Sequence, residues 1–177
     1  MNINFELEDE YDEEGEYIPL SKRECFIDEY VDLANDEYVR NGESAQFKFM
    51  QNLIARSKNI GYIIYFAKNV FGANIKLFDD AICNTNNAKA IFYYSYLVDN
   101  VDVNKLLDKL CEIGDGKYLT EFGINVLGKA QHIDKKSFDK ILMVLDNSKH
   151  ILKKNFYKNE IKKFLEEKNT ECTLDKE

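Results

Sequence analysis

The chain is poor in residues that interrupt helices and in residues that build metal or catalytic sites. Its 177 residues include one Pro, no Trp, two His and four Cys. Proline is scarce where helices run uninterrupted, because it removes a backbone donor and clashes with the preceding turn. His132 and His150 have no adjacent ligand-forming partner, so we expect an exposed position or a position at the edge of a cap for both, and neither a metal site nor a cofactor.

The chain also lacks a long apolar run. The longest nearly apolar stretch, residues 60–67, is far shorter than the roughly 20 residues that a membrane-spanning helix needs. A secretory signal begins with positive charge followed by an apolar segment, whereas this N-terminus is acidic. We therefore expect a cytoplasmic protein that does not enter membranes.

Basic residues are missing from residues 1–20, which contain eight of the 32 acids. The remaining 24 acids are balanced by 24 Lys and Arg, so this acidic arm holds the whole net charge of −8. We expect a mobile arm over residues 1–20, one helical domain over residues 21–168 and a frayed tail over residues 169–177. The central acids of the arm are Glu8, Asp9, Glu10, Asp12, Glu13 and Glu14.

Three roles stay open for the acidic arm. It is a solvated tail, a mimic of phosphate charge that occupies a basic groove on another protein, or a segment that docks on the chain's own last helix. That last helix is rich in lysine: Lys149, Lys153, Lys154, Lys158, Lys162 and Lys163.

A repeat of 28 residues runs through the middle of the chain. Asn59, Asn87 and Asp115 match, and each can cap the first turn of a helix. The apolar residues that follow them also match: Ile63, Ile91 and Leu119; Phe66, Tyr94 and Phe122; Val70, Val98 and Val126. A fixed period of this length, made of two short amphipathic segments, indicates stacked helix pairs. Cys83 and Cys111 share one repeat position, which indicates small buried side chains without chemistry.

Helical periodicity sets the expected elements. Within the repeat we expect helices over about residues 60–71, 75–84, 88–98, 103–112 and 116–127. A capping box at Ser21 opens an earlier helix, with Phe26, Tyr30, Leu33 and Ala34 inward, and Ser44 opens the next, with Phe49, Leu53 and Ile54 inward. After Gly128 the register slips, and two last helices begin near Asp134 and Ser148. We therefore expect an all-α fold, a short right-handed α-solenoid of antiparallel helix pairs with eight or nine helices and atypical capping helices.

A family resemblance supports this architecture. The phrase from Tyr62 to Asn74 and the following Leu77-Phe78-Asp79-Asp80-Ala81-Ile82 resemble tandem helical repeats of bacterial and phage proteins, which are similar in character to HEAT-type solenoids. The resemblance covers residues 45–127 and weakens from the first copy to the third. It implies a solenoid and protein binding, and it transfers no catalytic residue.

One polar stripe is left over once the core is subtracted. We call it the tyrosine strip, and stacking of the repeats should align its members: Tyr62, Tyr65 and Asn69; Tyr93, Tyr96 and Leu97; Tyr118, Glu121 and Asn125. Tyrosine combines a large rigid contact area with a polar tip, which favours interfaces. Two interpretations stay open, a partner-binding surface and tyrosines that pack between repeats with only their hydroxyls at the edge. Asp79, Asp80 and Asp108 are expected on helix surfaces.

These patterns favour a binding protein without enzymatic activity. The first hypothesis is an acidic inhibitor, an immunity or anti-defence protein that blocks a basic groove on a partner such as a nuclease or toxin. The alternative is a structural or adaptor module that recognises a peptide or protein without inhibiting it. Direct binding to nucleic acid is disfavoured by the acidic chain, because such affinity depends on neutralising several phosphates.

Overall fold

The fold is all-α, as predicted. A computed structural model of the protein describes residues 24–129, 134–147 and 151–174. These residues form nine α-helices and one short 3-10 turn, and no strand occurs among them. The helices are α1 (Glu24–Asn41), α2 (Ala45–Arg56), α3 (Ile60–Asn69), α4 (Ile75–Asn84), α5 (Ala88–Leu97), α6 (Val103–Ile113), α7 (Gly116–Asn125), α8 (Lys135–Asp146) and α9 (Ile151–Leu174). The acidic arm, Ser21, His132 and His150 lie outside the described residues.

The helix starts follow the predicted caps. The side chains of Asn59, Asn87 and Asp115 each accept a hydrogen bond from the third backbone amide of the following helix, at 3.1, 3.1 and 3.2 Å. Such a bond satisfies one of the amide donors that a helix start leaves without a partner. α3, α5 and α7 end one or two residues before their predicted ends, as helix ends often do. α9 continues to Leu174, past the predicted end near Lys168.

The turn before each of these caps repeats as well. Lys58, Asn86 and Gly114 precede the three caps and all have a positive φ, of 59°, 51° and 73°. Asn and Gly adopt this left-handed conformation readily, whereas lysine pays a steric cost for it. The position is therefore defined by backbone conformation, and Lys58 shows that the fold imposes this conformation on an unfavourable residue.

The helices pack in two layers. α1, α3, α5, α7 and α9 contact one another in that order, and α2, α4, α6 and α8 do the same in the second layer. Each helix also contacts the next one along the chain. This order of contacts is consistent with stacked helix pairs, and the solenoid arrangement and its handedness stay predictions.

The core lies between the layers and contains the predicted apolar stripe. Ile63, Phe66 and Val70 of the first copy are buried, and so are their counterparts in the second. In the third copy Leu119 and Phe122 are buried, and Val126 is half-buried.

Two inward residues were assigned wrongly in the N-terminal helices. Leu33 is 51% exposed and Phe49 is 59% exposed. In α2 the buried residues Phe47, Met50 and Ile54 follow the 3–4 spacing of one helix face, so Phe49 falls on the opposite side. Periodicity alone leaves a choice between two such stripes, and packing against α1 decides it.

A buried polar position ties successive helix pairs together. Gln51 of α2 accepts a hydrogen bond from the backbone amide of Asn74 at 2.5 Å, and Asp79 of α4 accepts one from the amide of Asp102 at 3.1 Å. Gln51 and Asp79 are 28 residues apart and thus occupy the same repeat position. The third copy has Leu107 there. The surface position expected for Asp79 is therefore wrong, since its side chain is 2% exposed.

Candidate interaction surface

The tyrosine strip lies on the outer side of the layer that contains α3, α5 and α7, and its members differ in exposure. Tyr65, Tyr93 and Tyr96 are 40%, 42% and 43% exposed. Asn69 and Leu97 are also exposed. The part of the strip on α3 and α5 therefore presents aromatic side chains to the outside.

Four predicted members of the strip are too little exposed for the whole strip to contact a partner. Tyr62, Tyr118, Glu121 and Asn125 are half-buried. The Asn125 amide donates to the Glu121 carboxylate at 2.8 Å, and the Tyr118 ring lies 6.1 Å from the ring of Phe92 on the neighbouring helix. For these residues the packing interpretation of the strip fits better than the partner-binding one, because contacts within the array already use their side chains.

Acidic residues of α1 border the strip at Tyr65. The hydroxyl of Tyr65 hydrogen-bonds with the carboxylate of Asp28, which raises the pKa of the phenol, with a smaller contribution from Asp32. On the same flank Asn35 of α1 donates to the carbonyl of Asn69 at 3.1 Å. The first helix therefore adds two acids to this end of the strip, which the repeat pattern did not reveal because α1 lies outside it.

An aromatic cluster that the sequence analysis missed supports the strip on α5. Phe92 is 8% exposed, and its ring centroid lies 5.2 Å from that of Tyr93 and 5.9 Å from that of Tyr96. Phe92 and Tyr96 are four residues apart on one helix, a spacing at which side chains meet. That spacing was a usable signal for this cluster. Because Phe92 backs both exposed rings, it limits their freedom.

Three lysines lie over the tyrosine rings at the α5–α7 end. The ammonium of Lys129 is 3.8 Å from the ring centroid of Tyr96. Lys117 lies 5.2 Å from the ring of Tyr118, and Lys89 lies 5.9 Å from that of Tyr93. A cation over an aromatic face is attracted by the ring quadrupole. We call Lys89, Tyr93, Tyr96, Leu97, Lys117 and Lys129 the lysine–tyrosine patch.

The lysines of this patch have no acidic partner in the part of the chain that the structure describes. No carboxylate of those residues lies within 4.0 Å of the ammonium of Lys89, Lys117 or Lys129. The strip is therefore polarised. Acids flank it at the α1–α3 end, and unpaired lysines flank it at the α5–α7 end, where the one acid of the strip, Glu121, is half-buried and accepts from Asn125.

The outer side of the second layer is built differently. Asp80 of α4 pairs with Lys105 of α6, and Asp108 of α6 pairs with Lys140 of α8. These pairs lie beside a cleft of about 620 Å³ between α4 and α6, which Cys83 also lines. Both acids are on the surface, as predicted, and their charges are used to join neighbouring helices.

The two repeat cysteines are less buried than predicted. Cys83 and Cys111 are free and half-buried, and burial raises the pKa of both thiols. A thiol with a raised pKa holds little of the reactive thiolate at neutral pH. Among the residues with described positions, no group of three His, Cys, Asp or Glu side chains is placed to hold a metal ion. The predicted lack of a cofactor stays a prediction.

The lysines of the last helix are partly balanced by acids. Lys154 and Lys158 of α9 both contact the carboxylate of Asp146, at 3.4 and 2.6 Å. The exposed charged side chains described on α9 are three lysines and three glutamates: Lys153, Lys162, Lys163, Glu160, Glu166 and Glu167. The outward charge of these residues is therefore balanced.

Comparison of the chain with protein-family models, curated proteins and solved structures finds no match. The resemblance to bacterial and phage helical repeats thus stays a prediction. Within the described ranges, no helix is both long and apolar enough to cross a membrane.

Proposed function

We propose that this protein binds another protein through the exposed part of the tyrosine strip and performs no catalysis. The observation that carries the proposal is the exposure of Tyr65, Tyr93 and Tyr96 on one outer side of adjacent helices. Large aromatic side chains on a rigid helical support are typical of residues that dominate binding energy. They lose little conformational entropy on binding when neighbours such as Phe92 already hold them.

The polarity of the strip supports an oriented complex. Asp28 and Asp32 lie at one end and the three lysines of the patch at the other. Charges at the rim of an interface steer association and disfavour wrong orientations. We therefore propose a partner with basic groups opposite α1 and acidic groups opposite α5 and α7.

An inhibitory role is the more specific form of this proposal. The acidic arm has charge suited to a basic groove of the kind that binds phosphate, as in a nuclease or toxin. In this form the strip supplies contact area and the arm blocks the groove. We propose the cytoplasm as the site of action, and the free thiols of Cys83 and Cys111 are compatible with a reducing compartment.

An adaptor role is the second candidate, and the lysine–tyrosine patch favours it. Unpaired lysines are expected to bind acidic groups on a partner. The inhibitory form requires a basic groove on the partner, so the patch fits that form less well. An adaptor would still bind its partner after removal of the arm, and it would not inhibit that partner with or without the arm.

Affinity purification with matched variants tests the proposal. The full chain, the Tyr93→Ala/Tyr96→Ala variant and the control Phe49→Ala are used as baits in the cell of origin, with bound proteins quantified by mass spectrometry. Phe49 is exposed on α2 of the second layer. We expect the full chain and the Phe49→Ala control to bind the same partner. The affinity of the double variant for that partner should fall by about tenfold or more. Equal recovery by all three baits would refute binding through the strip.

The inhibitory form needs a further measurement on the purified partner. Its activity is measured with the full chain and with a chain that lacks residues 1–20. Inhibition that disappears with the arm supports the groove-blocking hypothesis. Binding without inhibition by either chain leaves the adaptor.

A further inference from the structure

The lysine–tyrosine patch combines unsatisfied positive charge with exposed apolar surface. Elsewhere in the described structure, Lys105, Lys140 and Lys158 each have a carboxylate as a direct partner, and the exposed Lys76, Lys135 and Lys136 have neither such a partner nor an aromatic ring beneath them. Lys89, Lys117 and Lys129 instead lie over tyrosine rings, next to the exposed Leu97. Such a surface fits an acidic segment that also carries apolar side chains.

The chain contains one segment with that composition. Residues 1–20 carry eight acids and no base, together with the apolar residues Phe5, Leu7, Tyr11, Tyr17 and Ile18. These residues lie outside the described part of the structure. Their carboxylates would supply the charges that the patch lysines lack, and their apolar side chains match Tyr93, Tyr96 and Leu97.

The connection to α1 places this segment within reach of the patch. α1 and α3 run parallel. Asp28 contacts Tyr65 near the start of α1, and Asn35 contacts Asn69, and both residues of the second pair lie further along their helices. Lys89 and Lys117 lie in the first turns of α5 and α7, which belong to the same layer. The chain therefore enters α1 at the end of the layer where these two lysines lie.

The distance can also be spanned. Three helix-to-helix steps of roughly 10 Å each separate α1 from α7. Twenty residues of extended chain cover up to about 65 Å. The acids Asp28 and Asp32 repel an acidic segment from the intervening α1–α3 end, so the attraction acts at α5 and α7.

The last helix is the alternative site for the same segment. The exposed charges described on α9 are balanced, and Lys154 and Lys158 share the single carboxylate of Asp146. Docking of the arm on α9 therefore stays an open alternative.

We propose that residues 1–20 dock on the lysine–tyrosine patch of their own chain and cover it until a partner displaces them. This inference rests on the proposed function in treating the patch as part of the binding surface. A docked arm lowers the apparent affinity for a partner, because only the fraction of molecules whose patch is uncovered can bind it. Salt weakens the docking because the charges involved are exposed.

Photo-crosslinking in the full chain tests the proposal. A benzoylphenylalanine side chain is introduced at Leu97 beside the patch and, as a control, at Phe49 on the second layer. After irradiation, the cross-linked peptides are identified by mass spectrometry. We expect Leu97→benzoylphenylalanine to link to residues 1–20 within one molecule, independently of protein concentration, and Phe49→benzoylphenylalanine to do so much less.

Charge reversal shows whether the link depends on the patch lysines. The Lys89→Glu/Lys117→Glu/Lys129→Glu variant should lower the yield of the Leu97 cross-link by about threefold or more. The matched control Lys76→Glu/Lys135→Glu/Lys136→Glu makes the same charge change at exposed lysines of α4 and α8 and should leave the yield unchanged. Adding Glu8→Lys/Glu10→Lys/Glu13→Lys to the first variant should restore it. Thermal melting verifies that each variant folds.

Several outcomes would overturn the proposal. Equal links from positions 97 and 49 indicate a tail without a preferred site, and links between molecules indicate a second copy as the occupant. An unchanged yield in the patch variant removes the role of the lysines. None of these measurements uses a partner, so failure of the docking leaves the affinity-purification test of the proposed function intact.

Discussion

The two outer sides of the helix array use their lysines in different ways. On the side of α4, α6 and α8, Lys105 and Lys140 each pair with an aspartate of the preceding helix in their layer. On the side of α5 and α7, Lys89 and Lys129 lie over tyrosine rings and have no carboxylate partner in the described structure. Lys76, Lys135 and Lys136 of the first side also have no carboxylate partner among the described residues, but they lie over no aromatic ring there. The combination of unpaired lysines with exposed tyrosines therefore locates the candidate interaction surface on the tyrosine-bearing layer.

The largest effect on stability is expected from a comparison of two adjacent residues, one in the core and one in the tyrosine strip. Phe66 is completely buried and Tyr65 is 40% exposed. Phe66→Ala should lower the free energy of unfolding by about 3–5 kcal/mol, because it removes buried surface and leaves a cavity. Tyr65→Ala should change it by less than about 1 kcal/mol. Urea denaturation measures both.

A large loss of stability in Tyr65→Ala would contradict this view of the surface. It would mean that the tyrosine strip is structural and that its exposure does not indicate binding.

An intermediate effect is expected at the buried Asp79, between the two sides. One of its carboxylate oxygens accepts from the Asp102 amide; the hydroxyl of Tyr94 lies near the carboxylate but donates to the carbonyl of Ile75 at 3.3 Å, which leaves the other oxygen without a hydrogen bond in the described structure. Burial raises the pKa of this carboxyl, with opposing contributions from hydrogen bonds. The folded state therefore holds the proton more tightly than the unfolded state, and the carboxyl destabilises the fold as pH rises through its raised pKa.

Asp79→Asn should remove this pH-dependent cost. We expect the free energy of unfolding at pH 7 to rise by about 1 kcal/mol, and the gain to shrink as pH falls towards the unfolded pKa of about 3.9. Thermal melting of both chains across pH measures the difference. Gln51→Glu is the matched test, since it places an acid at the equivalent position and should destabilise increasingly with pH. If Asp79→Asn raised the free energy of unfolding by the same amount at every pH, the cost could not come from ionisation of the Asp79 carboxyl.

The smallest effect is expected at the paired lysines of the second layer. Lys105→Ala breaks the exposed pair with Asp80 and should lower the free energy of unfolding by about 0.5 kcal/mol. The difference from the unmodified chain should fall in high salt, because salt screens exposed charges. Denaturation at low and high ionic strength tests this. A loss of several kcal/mol would show that inter-helix ion pairs hold the array together.

Much of the architecture could be predicted because it depends on short-range rules. The caps at Asn59, Asn87 and Asp115 depend on residues within one helical turn. The buried stripe of Ile63, Phe66 and their counterparts follows from helical spacing. Failures came where two faces of one helix were both apolar, as with Phe49.

The candidate surface was only partly predictable. The strip was placed on the correct helices, but which tyrosines are accessible depends on packing between neighbouring helices. Phe92 and Tyr118 meet across two helices, and Lys129 reaches Tyr96 from beyond the end of α7. The repeat pattern, which compares equivalent positions, contains no information about such contacts.

The division between sequence and tertiary structure follows the range of the interactions involved. Helix positions, caps and the core stripe of the repeat were contained in the order of residues, because each depends on neighbours within about four positions. The burial of Asp79, the partners of the lysines and the exposure of the strip were decided only when the layers packed, because each depends on residues of another helix.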